Sequence, residues 1–178
     1  MRIAYGGHPG AFGELACLGY FPDHEPVGYA DFLAACEALV AGEADRAVIP
    51  FENSIAGKVP GVAELIASLP VARIGVHPQP VVFHCLAPKG TRLEDVEVVA
   101  SHPMALAECR KFLASIDARA EEAGDTAGAA AEVAQAEGRS RAALASARAA
   151  ELYGLEVIAE HVEDSADNVT WFAVLQRA

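Results

Sequence analysis

Five short polar loops carry most of the side chains that could do chemistry in this 178-residue chain. Each loop follows an apolar strand candidate and precedes a helix candidate, so hydroxyls, amides and free backbone N–H groups collect there. In open α/β sheets, ligands bind at the carboxyl ends of the strands, where helix N-termini can hold an anion. The loops therefore predict a site for a small carboxylate. They are residues 7–12 (GHPGAF), 50–57 (PFENSIAG), 101–103 (SHP), 125–127 (DTA) and 145–147 (ASA).

A sixth polar stretch lies inside a strand candidate at residues 167–175 (DNVTWFAVL). Val, Thr, Trp and Phe favour a pleated, half-buried surface. Side chains alternate along a strand, so Asn168, Thr170 and Phe172 share one face and Trp171 lies on the other. An amide, a hydroxyl and a ring in one row mark this strand as a candidate wall of the site.

Several of these polar residues also have simpler structural interpretations. Asp125 and Ser146 are good helix N-caps, and capping alone explains their residue types. A histidine beside a cap, such as His102, is more often structural than catalytic. The polar run at residues 52–54 (ENS) fits either a plain turn or a binding site, and the residues alone leave both open.

The sequence predicts no metal site. Its six histidines are scattered without H-E-x-x-H spacing, and its four cysteines form no C-x-x-C pair, which favours buried free thiols. The glycines at residues 6–10 do not give the G-x-G-x-x-G pattern of dinucleotide-binding loops, and no Walker loop is present.

Composition and charge narrow the class of partner. Apolar residues make up 53% of the chain and charged residues 21%, as expected for one large domain or two small lobes. The formal net charge is -12 without a basic stripe, which disfavours nucleic acid and anionic membranes. No apolar run is long enough to cross a bilayer, and the N-terminus lacks the apolar segment of a signal peptide. We therefore expect a cytoplasmic protein.

Strand and helix candidates alternate along the chain. This alternation implies α/β layers with mostly parallel sheets. The second half repeats the style of the first, so we expect two similar lobes with extended crossovers near residues 74–80 and 156–165. Apolar periodicity predicts strands at residues 3–5, 47–50, 72–87, 96–100, 142–144, 156–160 and 169–175, and helices at 11–21, 29–41, 62–69, 103–115, 126–136 and 147–153.

Seven sequence motifs, taken in order, resemble those of the prephenate dehydratase family. They are GGHPGAFGELA (6–16), PFENSIAGKV (50–59), HCLA (84–87), SHPMALAEC (101–109), DTAGAA (125–130), ASARAAELYGL (145–155) and DNVTWF (167–172). Seven motifs in the family's order are strongly specific. The chain is similar to the catalytic domain of that family along nearly its whole length.

The resemblance implies an α/β fold of two lobes, like that of type II periplasmic binding proteins, with the active site in the interlobe cleft. Residues 1–76 and 160–178 would form lobe 1, and residues 77–159 would form lobe 2. No residues follow Ala178 for an ACT-type regulatory domain, so feedback through such a domain is not expected.

The resemblance also implies an activity. The family members are carbon-oxygen lyases of phenylalanine biosynthesis, which convert prephenate to phenylpyruvate with loss of water and carbon dioxide. Prephenate is thus the expected small-molecule substrate. Neither a cofactor nor a metal is implied, and a homodimer is expected because family catalytic domains commonly dimerise.

The catalytic threonine of the family matches Thr170, whose hydroxyl would assist departure of the ring hydroxyl of prephenate. Loss of water and carbon dioxide makes the ring aromatic, so the substrate itself supplies the driving force. The protein then needs to hold two carboxylates and to donate a hydrogen bond to the leaving oxygen. A threonine hydroxyl is a weak acid, so Thr170 is interpreted as an oriented donor. The motifs further imply these substrate-binding residues: Ala11, Phe12, Glu52, Asn53, Ser54, Gly57, Ser101, His102, Thr126, Asn168, Trp171 and Phe172.

Several polar positions of the family motifs are apolar in this chain. An arginine can hold a carboxylate through two hydrogen bonds, and the indole that replaces it cannot. The replacements are Trp171 for an arginine, Met104 for a glutamine, Val76 for a glutamate, and Ala11 and Gly13 for hydroxyl residues.

Two interpretations follow and stay open. In the first, the chain is a divergent prephenate dehydratase in which helix N-termini, together with Lys58 or His102, supply the missing positive charge. In the second, the cleft binds another acid or has lost activity. The chain is then an arogenate dehydratase, a prephenate decarboxylase or a protein that binds a small acid without catalysis.

Overall fold

Helices and strands alternate along all of residues 1–178, which the computed structural model describes. The first elements are β1 (Arg2–Gly6), α1 (Phe12–Tyr20), β2 (Glu25–Tyr29), α2 (Phe32–Ala41), β3 (Arg46–Asn53), β4 (Gly57–Lys58), α3 (Val62–Ser68) and β5 (Val71–Pro80). They are followed by β6 (His84–Ala87), a 3-10 turn (Leu93–Asp95), β7 (Val98–Ser101), α4 (Pro103–Glu108), α5 (Arg110–Ser115) and β8 (Arg119–Glu122). The last are α6 (Thr126–Gln135), β9 (Arg141–Ala145), α7 (Ala147–Tyr153), β10 (Glu156–Ala159) and β11 (Val169–Arg177).

These elements divide between two units. Both long crossings between the units lie later in the chain than the predicted crossings after residues 76 and 159. Pairing explains the first difference, because β5 continues to Pro80, which lies opposite Val169 of β11. Contacts of the segment after β10 explain the second, because the Val162 N–H donates to the Phe83 carbonyl at 3.0 Å. Unit 1 comprises Met1–His8, Phe12–Val81 and Asp167–Ala178, and unit 2 comprises Pro9–Ala11 and Val82–Ala166.

Unit 1 is built on a mixed sheet of six strands in the order β2-β1-β3-β11-β5, with the short β4 paired to β3. β1 runs parallel to β2 and β3, but β11 runs antiparallel to both β3 and β5. The prediction of mostly parallel sheets is therefore wrong. β11 begins at the end of the sheet where β3 and β5 finish, so it must run in the opposite direction.

Helices cover both faces of the sheet in unit 1. On one face, called the α1 face, Gly19 of α1 lies so close to His77 of β5 that an added Cβ would be 2.7 Å from the His77 Nε2. On the other, called the α2 face, α2 and α3 pack on the central strands. The buried core of the α2 face comprises Ala4, Ala35, Cys36, Leu39, Ala44, Ala47, Ile49, Val62, Ala173 and Leu175. Burial of these side chains is the main stabilising contribution to the unit.

Unit 2 contains a second mixed sheet, in the order β10-β6-β9-β7-β8. β6 is antiparallel to β9 and β10, whereas β7 is parallel to β8 and β9. α6 packs on this sheet through Ala127, Ala129 and Ala130, which are fully buried. Small side chains let the helix approach the strands closely, which explains the alanine-rich sequence of α6.

Two predicted helices have different bounds in the structure. The helix predicted at residues 29–41 begins only at Phe32, because β2 continues to Tyr29 as an edge strand paired to β1. The helix predicted at residues 103–115 is broken at Cys109 into α4 and α5. Asp164 fills that break, since its backbone N–H donates to the Glu108 carbonyl at 2.7 Å. The predicted ends at Gly42 and Gly154 are confirmed, and both glycines adopt the left-handed conformation.

The four cysteines are free and buried, as predicted. Burial raises the pKa of Cys17 and Cys85 to about 12 and that of Cys36 to about 11, and it also raises the pKa of Cys109. A buried, protonated thiol is a poor nucleophile, so these cysteines are packing residues. No helix has the length and apolar character that a bilayer crossing requires.

His84 of unit 2 gives the stability a defined pH dependence. Burial lowers its pKa from 6.5, with a smaller contribution from His161, whereas Glu163 and Glu160 oppose the shift. The unfolded chain therefore binds this proton more tightly than the folded chain, and the free energy of unfolding should fall as the pH drops below about 6.5. Urea unfolding at pH 7.5 and 5.5 should show a smaller loss for His84→Gln than for the wild type. Equal losses in both proteins would contradict this assignment.

Candidate functional site

A β-bulge in β3 determines which of its side chains lie beside the candidate catalytic strand β11. Phe172 of β11 lies opposite Pro50, but the preceding residue, Trp171, lies opposite Glu52. Phe51 is thus an extra residue without a partner on β11. Opposite residues of an antiparallel pair share a face of the sheet. The bulge therefore moves the end of β3 onto the face opposite to that expected from unbroken alternation.

The bulge places Asn53 beside Thr170 on the α1 face, where the two residues lie directly opposite each other. The Asn53 Nδ2 donates to the Thr170 Oγ1 at 2.9 Å and to the Asn168 Oδ1 at 2.8 Å. The Asn53 Oδ1 accepts from the backbone N–H groups of Ile55 at 2.8 Å and Ala56 at 2.9 Å. These two backbone donors fix the orientation of the amide, because a flipped amide would place its NH₂ group against two N–H donors.

Ser54 joins the end of β3 to the beginning of β11. Its Oγ donates to the Asp167 carbonyl at 3.0 Å and accepts from the Val169 N–H at 3.0 Å, and its own N–H donates to the Val169 carbonyl at 2.9 Å. Gly57, the first residue of β4, completes the turn with φ near +78° and pairs with Asn53 of β3. The polar run at residues 52–54 therefore forms a defined turn that orders the start of β11.

Thr170 is half-buried in this network. Its Oγ1 accepts the hydrogen bond from Asn53, and the structure contains no acceptor in the chain for the hydroxyl hydrogen. On its other side Thr170 lies opposite Gln79 of β5, whose Nε2 donates to the Pro80 carbonyl at 3.0 Å. The hydroxyl is thus held by one donor and keeps its own hydrogen for a ligand.

Trp171 belongs to the opposite face of the sheet. Strand register places Trp171, Glu52 and Lys58 in one row across β11, β3 and β4, on the α2 face. Glu52 and Lys58 are both exposed. Lys58, a predicted source of positive charge, therefore lies on the face away from Thr170, next to a carboxylate of opposite charge.

In unit 2, the side chains of Ser101 and His102 both have partners within the chain. Ser101 is fully buried, and its Oγ donates to the Leu144 carbonyl at 2.7 Å. The His102 Nδ1 accepts from the Met104 N–H at 3.1 Å and so caps α4. With the Nδ1 engaged in this cap, only the Nε2 of the ring remains to meet a ligand.

The loop at residues 9–11 is anchored to the start of α7. The Ser146 Oγ donates to the Gly10 carbonyl at 2.6 Å and accepts from the Ala149 N–H at 3.1 Å, and the Tyr153 hydroxyl donates to the Pro9 carbonyl at 2.7 Å. Gly10 has φ near +93°, and a Cβ there would be 2.9 Å from the Cα of Ala149. Both the conformation and the close approach require glycine.

The remaining loop of unit 2 opens α6. The Asp125 Oδ1 accepts from the Gly128 N–H at 2.7 Å, which confirms the predicted N-cap. Thr126 is the first residue of the helix and is half-buried. No group of three or more His, Cys, Asp or Glu side chains is arranged to hold a metal ion.

The structure thus joins three predicted site residues of unit 1, Asn53, Asn168 and Thr170, by side-chain hydrogen bonds. The neighbouring Ser54 bonds to the backbone of residues 167 and 169. Phe172 shares the α1 face of β11 but is buried, and Phe12 begins α1. Gln79, which no motif indicates, also lies opposite Thr170, but its amide bonds to the Pro80 carbonyl and takes no part in this network. The other predicted residues lie on the α2 face (Glu52, Trp171), in the β4 turn (Gly57) or in unit 2 (Ala11, Ser101, His102, Thr126).

Comparison with known families gives a match over residues 3–178 to the model described as prephenate dehydratase. Among characterised proteins, the chain is 41% identical to arogenate dehydratase 1 of Petunia hybrida, over 99% of this chain and 42% of that protein. It is 39% identical to arogenate dehydratase/prephenate dehydratase 2 of Arabidopsis thaliana, a chloroplastic protein, over 99% of this chain and 46% of the relative. The chain therefore spans less than half the length of these relatives.

Solved structures confirm the predicted fold class. A prephenate dehydratase from Arthrobacter aurescens, solved in complex with L-Phe, superposes with a TM-score of 0.91 at 28% identity, over 100% of this chain and 61% of that chain. The methionine-binding protein MetQ superposes with a TM-score of 0.54 at 13% identity, over 99% of this chain and 82% of that one. The second likeness concerns the fold alone, which is that of type II periplasmic binding proteins.

Proposed function

Because the chain belongs to the prephenate dehydratase family, we propose that it converts prephenate to phenylpyruvate with loss of water and carbon dioxide. The hydrogen bond from Asn53 to Thr170 is the observation that carries this proposal. That bond occupies the threonine oxygen and leaves the hydroxyl hydrogen to a ligand on the α1 face. An oriented donor of this kind is the group that departure of the ring hydroxyl requires.

The reaction needs little chemistry from the protein. The bond between the ring and its carboxylate breaks, carbon dioxide departs, and the electron pair moves into the ring. The bond between the ring and its hydroxyl oxygen then breaks, and that oxygen takes up one solvent proton to leave as water. Negative charge develops on the leaving oxygen, and the Thr170 hydroxyl stabilises it by donating a hydrogen bond.

Carboxylate binding is proposed to rely on backbone N–H groups at helix N-termini. Lys58 is a weak candidate for this role, since strand register places it on the α2 face, away from Thr170. His102 is also a weak candidate, since its Nδ1 is already engaged in capping α4. Roles in substrate binding for Ser101, Thr126 and Ala11 stay predictions, as do a homodimer and a cytoplasmic location.

Arogenate is the second candidate substrate. It carries an amino group where prephenate carries a keto group, and the same loss of water and carbon dioxide gives phenylalanine. Two similar relatives are named for arogenate, one of them for both substrates. The ring chemistry that Thr170 would assist is identical for both acids, so the choice depends on the groups that surround the side chain of the substrate.

The purified chain should form phenylpyruvate from prephenate at mildly alkaline pH, where the spontaneous acid-driven reaction is slow. Product identification by chromatography and mass spectrometry, against a control without protein, tests this expectation. Parallel assays with arogenate would give phenylalanine, and the ratio of the two kcat/KM values would identify the preferred acid.

Two results would contradict the proposed function. A decarboxylated product without an aromatic ring would assign the chain to the decarboxylase interpretation. Unchanged prephenate and arogenate, with calorimetric binding of either acid, would assign it to the binding-protein interpretation.

A further inference from the structure

We propose that Asn53 is a positioning residue that sets the direction of the Thr170 hydroxyl, and that it does not bind the substrate itself. This inference rests on the proposed dehydratase function. It replaces the expectation that Asn53 contacts the substrate directly, because the structure already uses every hydrogen-bonding group of its amide.

The contacts of Asn53 account for both of its donors and for its acceptor. One Nδ2 hydrogen goes to the Thr170 Oγ1 and the other to the Asn168 Oδ1. The Oδ1 accepts from the backbone N–H groups of Ile55 and Ala56. A carboxamide with two donors and two lone pairs is thereby saturated. No group on Asn53 remains to bind a carboxylate of the substrate.

The direction of the Asn53–Thr170 hydrogen bond gives it a chemical consequence. A free threonine hydroxyl can either donate or accept, and it rotates to suit its neighbours. Here the amide can only donate, so the Thr170 oxygen must accept and its hydrogen must point elsewhere. A donor to the oxygen also polarises the O–H bond, because linked hydrogen bonds strengthen one another. Asn53 thus keeps Thr170 in the one state that can donate to a leaving oxygen.

The β-bulge at Phe51 is what makes this arrangement possible. With unbroken alternation, Asn53 would share the α2 face with Ala47 and Ile49 of β3. One extra residue shifts the register, so Asn53 lies opposite Thr170 on the α1 face. The two backbone N–H groups of the following turn then hold its amide in the donating orientation.

The Asn53→Asp variant separates this positioning role from a purely structural one. A carboxylate oxygen can still accept from Ile55 and Ala56, so the turn is kept. The second oxygen is an acceptor, however, so the Thr170 hydroxyl would donate to it instead of to the substrate. We expect kcat to fall about 100-fold at pH 8. As the pH falls and the new carboxyl binds a proton, it becomes a donor again, so the ratio of variant to wild-type kcat should recover.

Gln79→Glu is the matched control for the added charge. Gln79 lies opposite Thr170 on β5, but its amide bonds to the Pro80 carbonyl and not to Thr170. The Gln79→Glu variant therefore places a similar charge beside Thr170 without reversing the hydrogen bond between Asn53 and Thr170. Its kcat should stay within about threefold of the wild type, because a half-exposed charge is screened by solvent. A loss for Asn53→Asp that equals that of the control, or that is the same at every pH, would overturn the proposal.

A second measurement tests the contact without any assay of activity. In NMR spectra of the wild type, both side-chain amide hydrogens of Asn53 should be protected from exchange with solvent. Thr170→Val removes the acceptor of one of them, so one signal should lose protection while the other keeps it. Equal exchange of both hydrogens in both proteins would overturn the positioning role. If neither prephenate nor arogenate is consumed but this asymmetry is found, the dehydratase proposal fails while the contact itself stands.

Discussion

Thr170→Val should lower kcat about a hundred- to a thousandfold, the range measured when one oriented donor or acid is removed from a transition state. Valine keeps the branched shape of threonine but cannot donate to the leaving oxygen. It also leaves one Asn53 Nδ2 hydrogen without an acceptor, at a cost to stability of about 1–3 kcal/mol. KM should change little, because the hydrogen bond matters most when charge develops on the leaving oxygen. Steady-state kinetics with the preferred acid, after the fold has been checked by urea unfolding, measures both effects.

Thr170→Ser is the matched control for that variant. Serine retains the hydroxyl and can still accept from Asn53, so kcat should remain within about tenfold of the wild type. A valine variant as active as the serine variant would remove Thr170 from the mechanism. A serine variant as inactive as the valine variant would instead assign the effect to packing of the methyl group.

Gly10→Ala should lower the free energy of unfolding by about 2–4 kcal/mol, which is large for the addition of one methyl group. Two costs combine at this position. The backbone has φ near +93°, which L side chains rarely adopt, and the new Cβ would lie 2.9 Å from the Cα of Ala149. Relief of this clash would separate the loop at residues 9–11 from α7 and break the hydrogen bond from Ser146 to the Gly10 carbonyl. Denaturant unfolding monitored by circular dichroism measures the loss.

Gly138→Ala distinguishes the two costs. Gly138 also has positive φ, near +88°, but no atom beyond its two chain neighbours lies within 4 Å of an added Cβ. The free energy of unfolding of this variant should therefore fall only by the cost of backbone strain, about 1–2 kcal/mol. Equal losses for the two alanine variants would mean that the approach to Ala149 relaxes freely and that Gly10 is required only for its conformation.

The sequence predicted the elements of this fold better than their directions. Apolar periodicity and capping residues located the helices that begin at Thr126 and Ala147 to within one residue. Periodicity contains no information on strand direction, however, and β11 enters its sheet antiparallel to both neighbours. The edge strand β2 was missed because Pro26 and Gly28 weaken the strand signal of a segment that is held by its pairing to β1.

The candidate site was likewise predicted only in part. The residue types and their motifs identified Asn53, Asn168 and Thr170, whose side chains the structure joins by hydrogen bonds, and Ser54, which bonds to the backbone of residues 167 and 169. The separate roles of Asn53 and Thr170 could not be predicted, because they depend on the extra residue at Phe51. Simple alternation along β3 would place Asn53 on the α2 face, and only the register between strands shows that it faces Thr170. Unlike the side-chain alternation, the bulge has no signature in the local sequence.

The position of β11 in the sheet has a consequence for how the chain acquires its structure during synthesis. β11 lies between β3 and β5, yet it is the last strand of unit 1 in chain order, separated from β5 by the whole segment Val82–Ala166. A ribosome releases the N-terminal residues first, so β3 and β5 emerge with a gap between them that no nascent residue can yet fill. Unit 2, whose residues are almost contiguous, can fold while that gap is open. Thr170 therefore reaches Asn53 only in the final step of a slow, long-range strand insertion, and nascent chains short of β11 lack both a complete sheet and the proposed catalytic group.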